Sequence, residues 1–304
     1  MSLLEITSQE MLDRISELCT QRPDVETLKY ILGNEGILEW AHSAGVSTDH
    51  KLRDIAPNVP PYEMRSIVAA PSESVFLWSG IKDAQMCAAL FDSHNLNKRE
   101  RPSKILDFGC GCGRTARFLQ LMSRFDVYGS DINQKLVSWC QNNLKTVITS
   151  SNDLLPPLQY RDGEFDFIFS LSIFTHLPEA SVFAWLDELA RITVDNGVVL
   201  LTSHGFPALD IICGSKQHQQ MFQVTEDDAR ALLKLFSSKL FIYRSLSEDI
   251  IRAANAGDDY GNSFTHENYI RSQWTRNVFE VVKFIPGGMR GWQDVTILRR
   301  RPRT

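Results

Sequence analysis

Between residues 104 and 204 the chain alternates short apolar runs with runs in which apolar positions recur every three or four residues. The order is "KILDF", "RTARFLQLM", "FDVYGSD", a helical-period run, "TVITSS", a polar loop, "FDFIFSLS", "EASVFAWLDELARI", a turn at Asn196-Gly197, and "VVLLTSH". Strand-length runs alternating with the 3.6-residue period predict repeated βα units, hence a parallel sheet with helices on both faces and right-handed crossovers. Residues 1 to about 100 are mainly helical by period. "TSQEMLDRISELC" opens with Ser8 as N-cap and sets Met11, Ile15 and Leu18 on one face, and "ESVFLWSGIKDAQMCAALF" repeats the pattern after Pro71. The proline-rich joint "APNVPPYEM" separates them. Beyond 205 the pattern is irregular until "THENYIRSQWTR", a predicted helix. Two strands, "VFEVVKFI" and "QDVTILRR", then form an antiparallel hairpin through "PGGMRG".

The predicted fold is therefore α/β, a doubly wound sheet of seven strands with a C-terminal antiparallel hairpin and an N-terminal helical region. Residues 101–204 and 263–304 form its core. Residues 205–262 are read as an insertion or substrate cap, with "GSKQHQQ" and "NAGDDYGNS" too polar to hold a core of their own.

Composition narrows the function classes. The chain has 304 residues, 43% of them hydrophobic, and a formal net charge of −5. Four arginines in the basic tail "RRRPRT" read as a solvated terminus, so no nucleic-acid partner is expected. The start "MSLLEITSQEMLDR" lacks a basic n-region, and no run approaches the ~20 apolar residues of a membrane span. The expectation is a cytoplasmic protein with no membrane partner. Its six scattered cysteines fit reduced thiols. Cys110 and Cys112 are spaced Cys-x-Cys with no second pair at zinc-site spacing, so no metal is expected and both read as small filler in a tight turn.

That turn, "ILDFGCGCGRTARFL", carries the strongest chemical signal. Gly109, Gly111 and Gly113 lie where a strand gives way to a helix whose buried stripe is Thr115, Phe118, Leu119 and Met122. Absent Cβ atoms let the backbone approach a ligand there, and a helix N-terminus presents free N–H groups. Asp131 ends the next strand, where an acidic side chain can accept ribose hydroxyls. Gly111 to Ala116 also fits the dinucleotide fingerprint G-x-G-x-x-A, which keeps a nicotinamide-dependent oxidoreductase in play.

Taken in order, "LDFGCGCGR", "GSDIN", "SNDLLPPL" and "FDFIFSLSIFTHL" resemble the motifs of class I S-adenosylmethionine-dependent methyltransferases, and the C-terminal hairpin is also that family's habit. The resemblance implies a Rossmann-like core and S-adenosyl-L-methionine as cofactor. It implies that Gly109, Cys110, Gly111 and Gly113 line the methionine part, that Asp107 meets its ammonium, that Asp131 holds the ribose and that Ile132 packs on adenine. Asn152 and Asp153 are candidates for the adenine edge, Ser170 and Leu171 for backbone contacts, and Ser79 and Gly80, in "VFLWSG", for a helix folded over the cofactor. The D/N-P-P-Y/F tetrapeptide of DNA amino-methyltransferases is missing where the fourth strand ends in "FSLSIF". The layout looks like bacterial methyltransferases of small-molecule biosynthesis, which implies a small-molecule acceptor, such as a hydroxyl of a sugar or secondary metabolite. Small-molecule N-methylation and a non-catalytic cofactor-binding module are the alternatives. His176 and His204 follow the fourth and fifth strands and are the candidate general bases.

Overall fold

The structure is a computed structural model and describes residues 59–71, 73–97, 100–120, 122, 124–144, 146–246 and 260–303. The N-terminal helix expected around Ser8, the start of the proline-rich joint and most of "NAGDDYGNS" lie outside the described residues. The chain divides into two compact units, residues 1–151 and 152–304.

In the first unit, α1 (Tyr62–Ile67) and α2 (Glu73–His94) precede β1 (Ser103–Phe108), α3 (Ala116–Leu119), β2 (Phe125–Asp131), α4 (Gln134–Asn143) and β3 (Ile148–Ser151). Strands β1, β2 and β3 are parallel neighbours, with Asp107 opposite Gly129 and Asp131 opposite Ser151. The apolar runs form the core as their pattern requires: Ile105, Leu106 and Val127 are buried with Phe76, Leu77 and Ile81 of α2. The Asn133 side chain caps α4 by accepting the backbone N–H groups of Lys135 and Leu136. The expected helix from Arg114 to Met122 is a single turn, Ala116–Leu119. All four residues of that turn are buried, and so are Thr115 and Met122, which removes the polar face a longer amphipathic helix would need.

The second unit holds β4 (Phe165–Ser170), α5 (Glu179–Ile192), β5 (Thr193–His204), α6 (Phe206–Gly214), α7 (Lys216–Phe222), α8 (Glu226–Phe236), β6 (Phe241–Ser245), β7 (Gly261–Thr265), α9 (Glu267–Tyr269), a π-helical turn Ile270–Trp274, β8 (Phe279–Met289) and β9 (Gln293–Arg300). Strand β5 pairs in parallel with β4 and β7 and antiparallel with β9, and β8 pairs antiparallel with β9. The amphipathic reading of α5 holds, with Val182, Trp185, Leu186 and Leu189 buried. Three details differ from the pattern. Asn196-Gly197 is an irregularity inside β5, where Asn196 takes φ 60°, and β8 runs on through Gly287 and Gly288 to Met289. Residues 206–236, read as irregular, form three helices.

Those helices share an apolar cluster of Leu209, Ile212, Phe222, Ala229, Leu232 and Phe236 with Ile242 and Phe264. Their boundaries are set by polar residues that resemble loop residues in sequence. The Ser215 hydroxyl accepts the His218 backbone N–H, and Thr225 and Asp228 form a capping box. The described residues thus contain the seven expected strands plus β6 and β7, an antiparallel pair that the pattern does not announce. No described helix is long and apolar enough to cross a membrane.

Candidate functional site

In the first unit the chain leaves β1 through three left-handed glycines: φ is 85° at Gly109, 54° at Gly111 and 71° at Gly113. Side chains with a Cβ rarely adopt this region, so the turn demands glycine before any ligand is considered. Backbone bonds lock the turn onto β2. The Gly109 and Cys110 N–H groups donate to the Ser130 carbonyl at 2.8 and 3.0 Å. Asp131 at the end of β2 completes the attachment, its Oδ2 accepting Gly111 N–H at 2.7 Å and its Oδ1 accepting Asn133 N–H at 2.8 Å.

Close packing adds a second reason for glycine. A Cβ on Gly111 would lie 2.5 Å from Val68 Cγ1, and one on Gly113 would collide with Leu144 Cδ1. α1 and the residue after it therefore lie on the loop: Arg114 Nη1 donates to the Val68 carbonyl at 3.1 Å, and the Cys112 thiol points to the Met64 carbonyl, within α1, at 3.9 Å. Gly80 is close-packed too, since a Cβ there would collide with the Arg114 carbonyl. Ser79 is buried, and its hydroxyl donates to Phe76 O within α2 at 3.3 Å.

The thiols of the loop are protonated filler. A hydrogen bond with the free Cys140 thiol, and then burial, raise the Cys110 pKa, while burial pushes the Cys112 thiol up to about 12. Among the described residues no group of three His, Cys, Asp or Glu could hold a metal ion.

Charge is concentrated behind the glycines. Asp107, Asp131 and Asp83 of α2 are all buried. The Asp107 carboxyl is pushed up to about 8, first by burial and then by the negative charge of Asp131, with Asp83 adding to it; Arg114 and the Ala116 N–H oppose the rise. Arg114 Nη2 lies 3.8 Å from Asp83 Oδ2. Burial also raises the Asp131 pKa, against the two N–H bonds it accepts. Ile132 beside it is half-buried.

A buried acidic niche over a glycine turn suits a ligand with a cationic end and a hydroxylated end. Residues 105–197 match the family model described as a methyltransferase domain. The stretch is similar to the domain of class I S-adenosylmethionine-dependent methyltransferases. Its buried carboxylates fit the methyl donor: Asp107 would meet the ammonium of the amino-acid end and Asp131 the ribose hydroxyls.

The methyltransferase domain has curated relatives. Over 99 residues the chain is 30% identical to 2-methyl-6-phytyl-1,4-hydroquinone methyltransferase of Synechocystis, covering 32% of this chain and 30% of that enzyme. Over 222 residues it is 21% identical to ajmaline N-methyltransferase of Rauvolfia serpentina, covering 70% of this chain and 72% of that enzyme. The chain thus spans under a third of the first relative's length and nearly three quarters of the second's. A SAM-dependent methyltransferase of Methanosarcina mazei aligns with a TM-score of 0.48 at 16% identity, over 70% of this chain and 98% of that one.

In the second unit, Asn152 and Asp153 follow β3, and the Asn152 side-chain amide donates to the Asp153 carbonyl at 2.8 Å. Ser170 and Leu171 close β4 and are buried. The next residue, Ser172, has φ 62°; its N–H donates to Thr202 Oγ1 at 2.7 Å and its hydroxyl bonds to the Gln293 amide.

The two histidines occupy different settings. His176 Nδ1 lies 2.8 Å from the Gly261 carbonyl, its ring stacks on Tyr260 with centroids 4.5 Å apart, and it remains partly exposed. A carbonyl only accepts, so Nδ1 carries the proton and Nε2 keeps its lone pair. Burial pushes the His176 pKa down to about 4, against the Gly261 bond. His204 is 1% exposed, 5.1 Å in ring centroids from both Phe222 and Trp292 and 5.6 Å from Phe264. Neither of its ring nitrogens has a hydrogen-bond partner among the described residues; the Ser263 backbone favours the charged ring only from a looser geometry. Burial and then His176 push its pKa down to about 3. The rings of the two histidines are 6.3 Å apart.

Asp83, Arg114 and Val68 are the site residues that sequence reasoning missed. Asp83 had a usable signal: at helical spacing it shares a stripe with Gly80, Cys87 and Leu90, so an aspartate stands on a buried face.

Proposed function

We propose that the chain methylates a hydroxyl group of a small molecule, with His176 as general base. The observation that carries the reading is the tautomer of His176. With Nδ1–H committed to the Gly261 carbonyl, Nε2 presents a lone pair in a fixed direction, and the depressed pKa keeps the ring neutral at physiological pH. S-adenosylmethionine supplies a methyl group already activated by its sulfonium charge. The protein's share is alignment, together with removal of the hydroxyl proton at Nε2. Asp107 and Asp131 orient the donor from the glycine turn. His204 has no lone pair exposed to solvent, so in this reading it supports the aromatic cluster and leaves the proton to His176.

Amine methylation is the second reading. It is supported by the ajmaline N-methyltransferase alignment, which spans most of both chains. Steady-state methyl transfer from labelled S-adenosylmethionine to paired hydroxyl and amine acceptors distinguishes the two. For a hydroxyl acceptor, His176→Ala should lower kcat by ~10²–10⁴-fold and leave the cofactor Kd within about twofold. A kcat within about threefold of the wild type, or a preference for amines unaffected by the substitution, rejects the base assignment.

A further inference from the structure

Asp107 interacts electrostatically with groups from several elements of the first unit. Asp131 faces it from β2, Asp83 and the Cys87 thiol from α2, Arg114 and the Cys110 thiol from the loop, and the Ala116 N–H from α3. The thiols are neutral, because burial at Cys87, and a hydrogen bond with the Cys140 thiol followed by burial at Cys110, hold both pKa values well above the ordinary cysteine range. Asp83, Asp107 and Asp131 are all buried, and Asp83 is paired with the guanidinium of Arg114. That guanidinium is shared between Asp83, at 3.8 Å, and the Val68 carbonyl, at 3.1 Å. Asp131 already accepts two backbone N–H bonds, which favour its charged form. Asp107 has one such bond and sits 4% exposed, so an unpaired charge there is the most costly of the three.

We propose that Asp83, with Arg114, makes Asp107 a proton-exchanging group: the free protein holds Asp107 as the neutral acid, and the carboxyl proton leaves to solvent when the ammonium of the donor's amino-acid end takes its place. The O–H bond at Asp107 breaks, the proton passes to water, and an ammonium–carboxylate pair forms in the buried niche. Asp83 does not touch the donor. It acts through Asp107 and is a positioning residue. The inference rests on the cofactor reading above and adds to it a proton count and a residue of α2. With the Asp107 carboxyl pushed up to about 8, about nine tenths of the sites hold that proton at pH 7.

Titration calorimetry of the full chain with S-adenosylhomocysteine and with S-adenosylmethionine tests this, at pH 7 in phosphate and in Tris. The two buffers differ in ionisation enthalpy, so the difference in apparent binding enthalpy counts protons. The wild type should release about half to nine tenths of a proton, and Kd should tighten by ~10–50-fold from pH 6 to pH 8. Asp83→Asn removes a negative charge from behind Asp107 and should at least halve the release, with Asp83→Glu restoring it. If Asp83→Asn does not fold, the wild-type proton count and Kd profile decide. Binding without proton release, or equal release in Asp83→Asn, overturns the proposal alone. No binding of either compound between pH 6 and pH 9 overturns the cofactor reading and the proposal with it.

Discussion

The Asp131 carboxylate accepts the Gly111 N–H at 2.7 Å, across twenty residues of sequence, so the side chain marked for the ribose also fastens the glycine turn. Both of its oxygens are engaged, since Oδ1 accepts Asn133 N–H. Asp131→Ala should therefore do two things. It should weaken S-adenosylmethionine binding at least tenfold and lower the stability of the cofactor-free protein by ~1.5–3 kcal/mol, the usual loss for buried bonds to a charged group. Asp131→Asn should share both effects, because one of the two backbone N–H groups would face its NH₂. Thermal unfolding without cofactor separates this fastening role from ligand contact: an unchanged Tm in both variants would restrict Asp131 to the ligand.

Gly111 and Val68 give a second prediction. Gly111→Ala meets the left-handed φ of 54° and a methyl group 2.5 Å away. The expected destabilisation is ~1–3 kcal/mol, from backbone strain and overpacking together. Val68→Ala removes the overpacking and leaves the strain. In a double-mutant cycle it should recover part of the loss, with a coupling of ~0.5–2 kcal/mol. Additive effects would show that the segment after α1 does not lie on the loop in solution.

Much of this arrangement was legible in sequence where a local pattern carries it. "FDFIFS" is buried at every position, as a central parallel strand should be, and the period of "EASVFAWLDELARI" matches α5. The glycine turn, Asp107 and Asp131 were legible for the same reason, because each sits at a fixed distance from a strand end. Strands β6 and β7 were not. "GNSFT" begins with two turn-forming residues yet is wholly buried, and "FIYRS" is only partly covered, so neither carries a strand period. The polar stretch around Ser215 conceals helix caps. Val68 against Gly111 is a contact between residues 43 positions apart, which no local period encodes.

His204 makes the pH dependence of stability specific. Its folded pKa of about 3 lies below the ordinary value near 6.5, so from pH 6.5 down to pH 3 the unfolded chain takes up a proton that the folded chain refuses. Stability from this residue is full above pH 6.5 and falls by ~1.4 kcal/mol per unit below it. His176, pushed down to about 4, contributes in the same direction. His204→Phe keeps a ring among Phe222, Phe264 and Trp292 and removes two nitrogens that have no hydrogen-bond partner among the described residues. Its Tm advantage over the wild type should widen from pH 7.5 to pH 5. A constant or shrinking difference would mean that the imidazole has partners in solution.

Two glycines in helices should answer the same substitution with opposite signs. Gly80 lies inside α2 and Gly214 at the end of α6, and neither has a positive φ, so alanine is allowed by the backbone at both. Helix propensity and reduced freedom of the unfolded chain favour alanine by ~0.4–1 kcal/mol at each position. Contacts decide the difference. A Cβ on Gly214 meets nothing within 4 Å, so Gly214→Ala should raise stability by up to ~1 kcal/mol. A Cβ on Gly80 meets the Arg114 carbonyl, which is backbone and cannot rotate away, and the Phe118 ring at 2.8 Å. Relief would require α2 to shift from the loop, at the ~1–3 kcal/mol typical of overpacking, which exceeds the propensity gain. Moving α2 would also displace Asp83 relative to Arg114 and Asp107, so Gly80→Ala should change cofactor-linked proton release as well as lower Tm, while Gly214→Ala leaves the release unchanged. Denaturant unfolding of both variants, with calorimetry at pH 7, measures these effects. A Gly80→Ala protein as stable as the wild type would refute the close contact between α2 and the glycine loop.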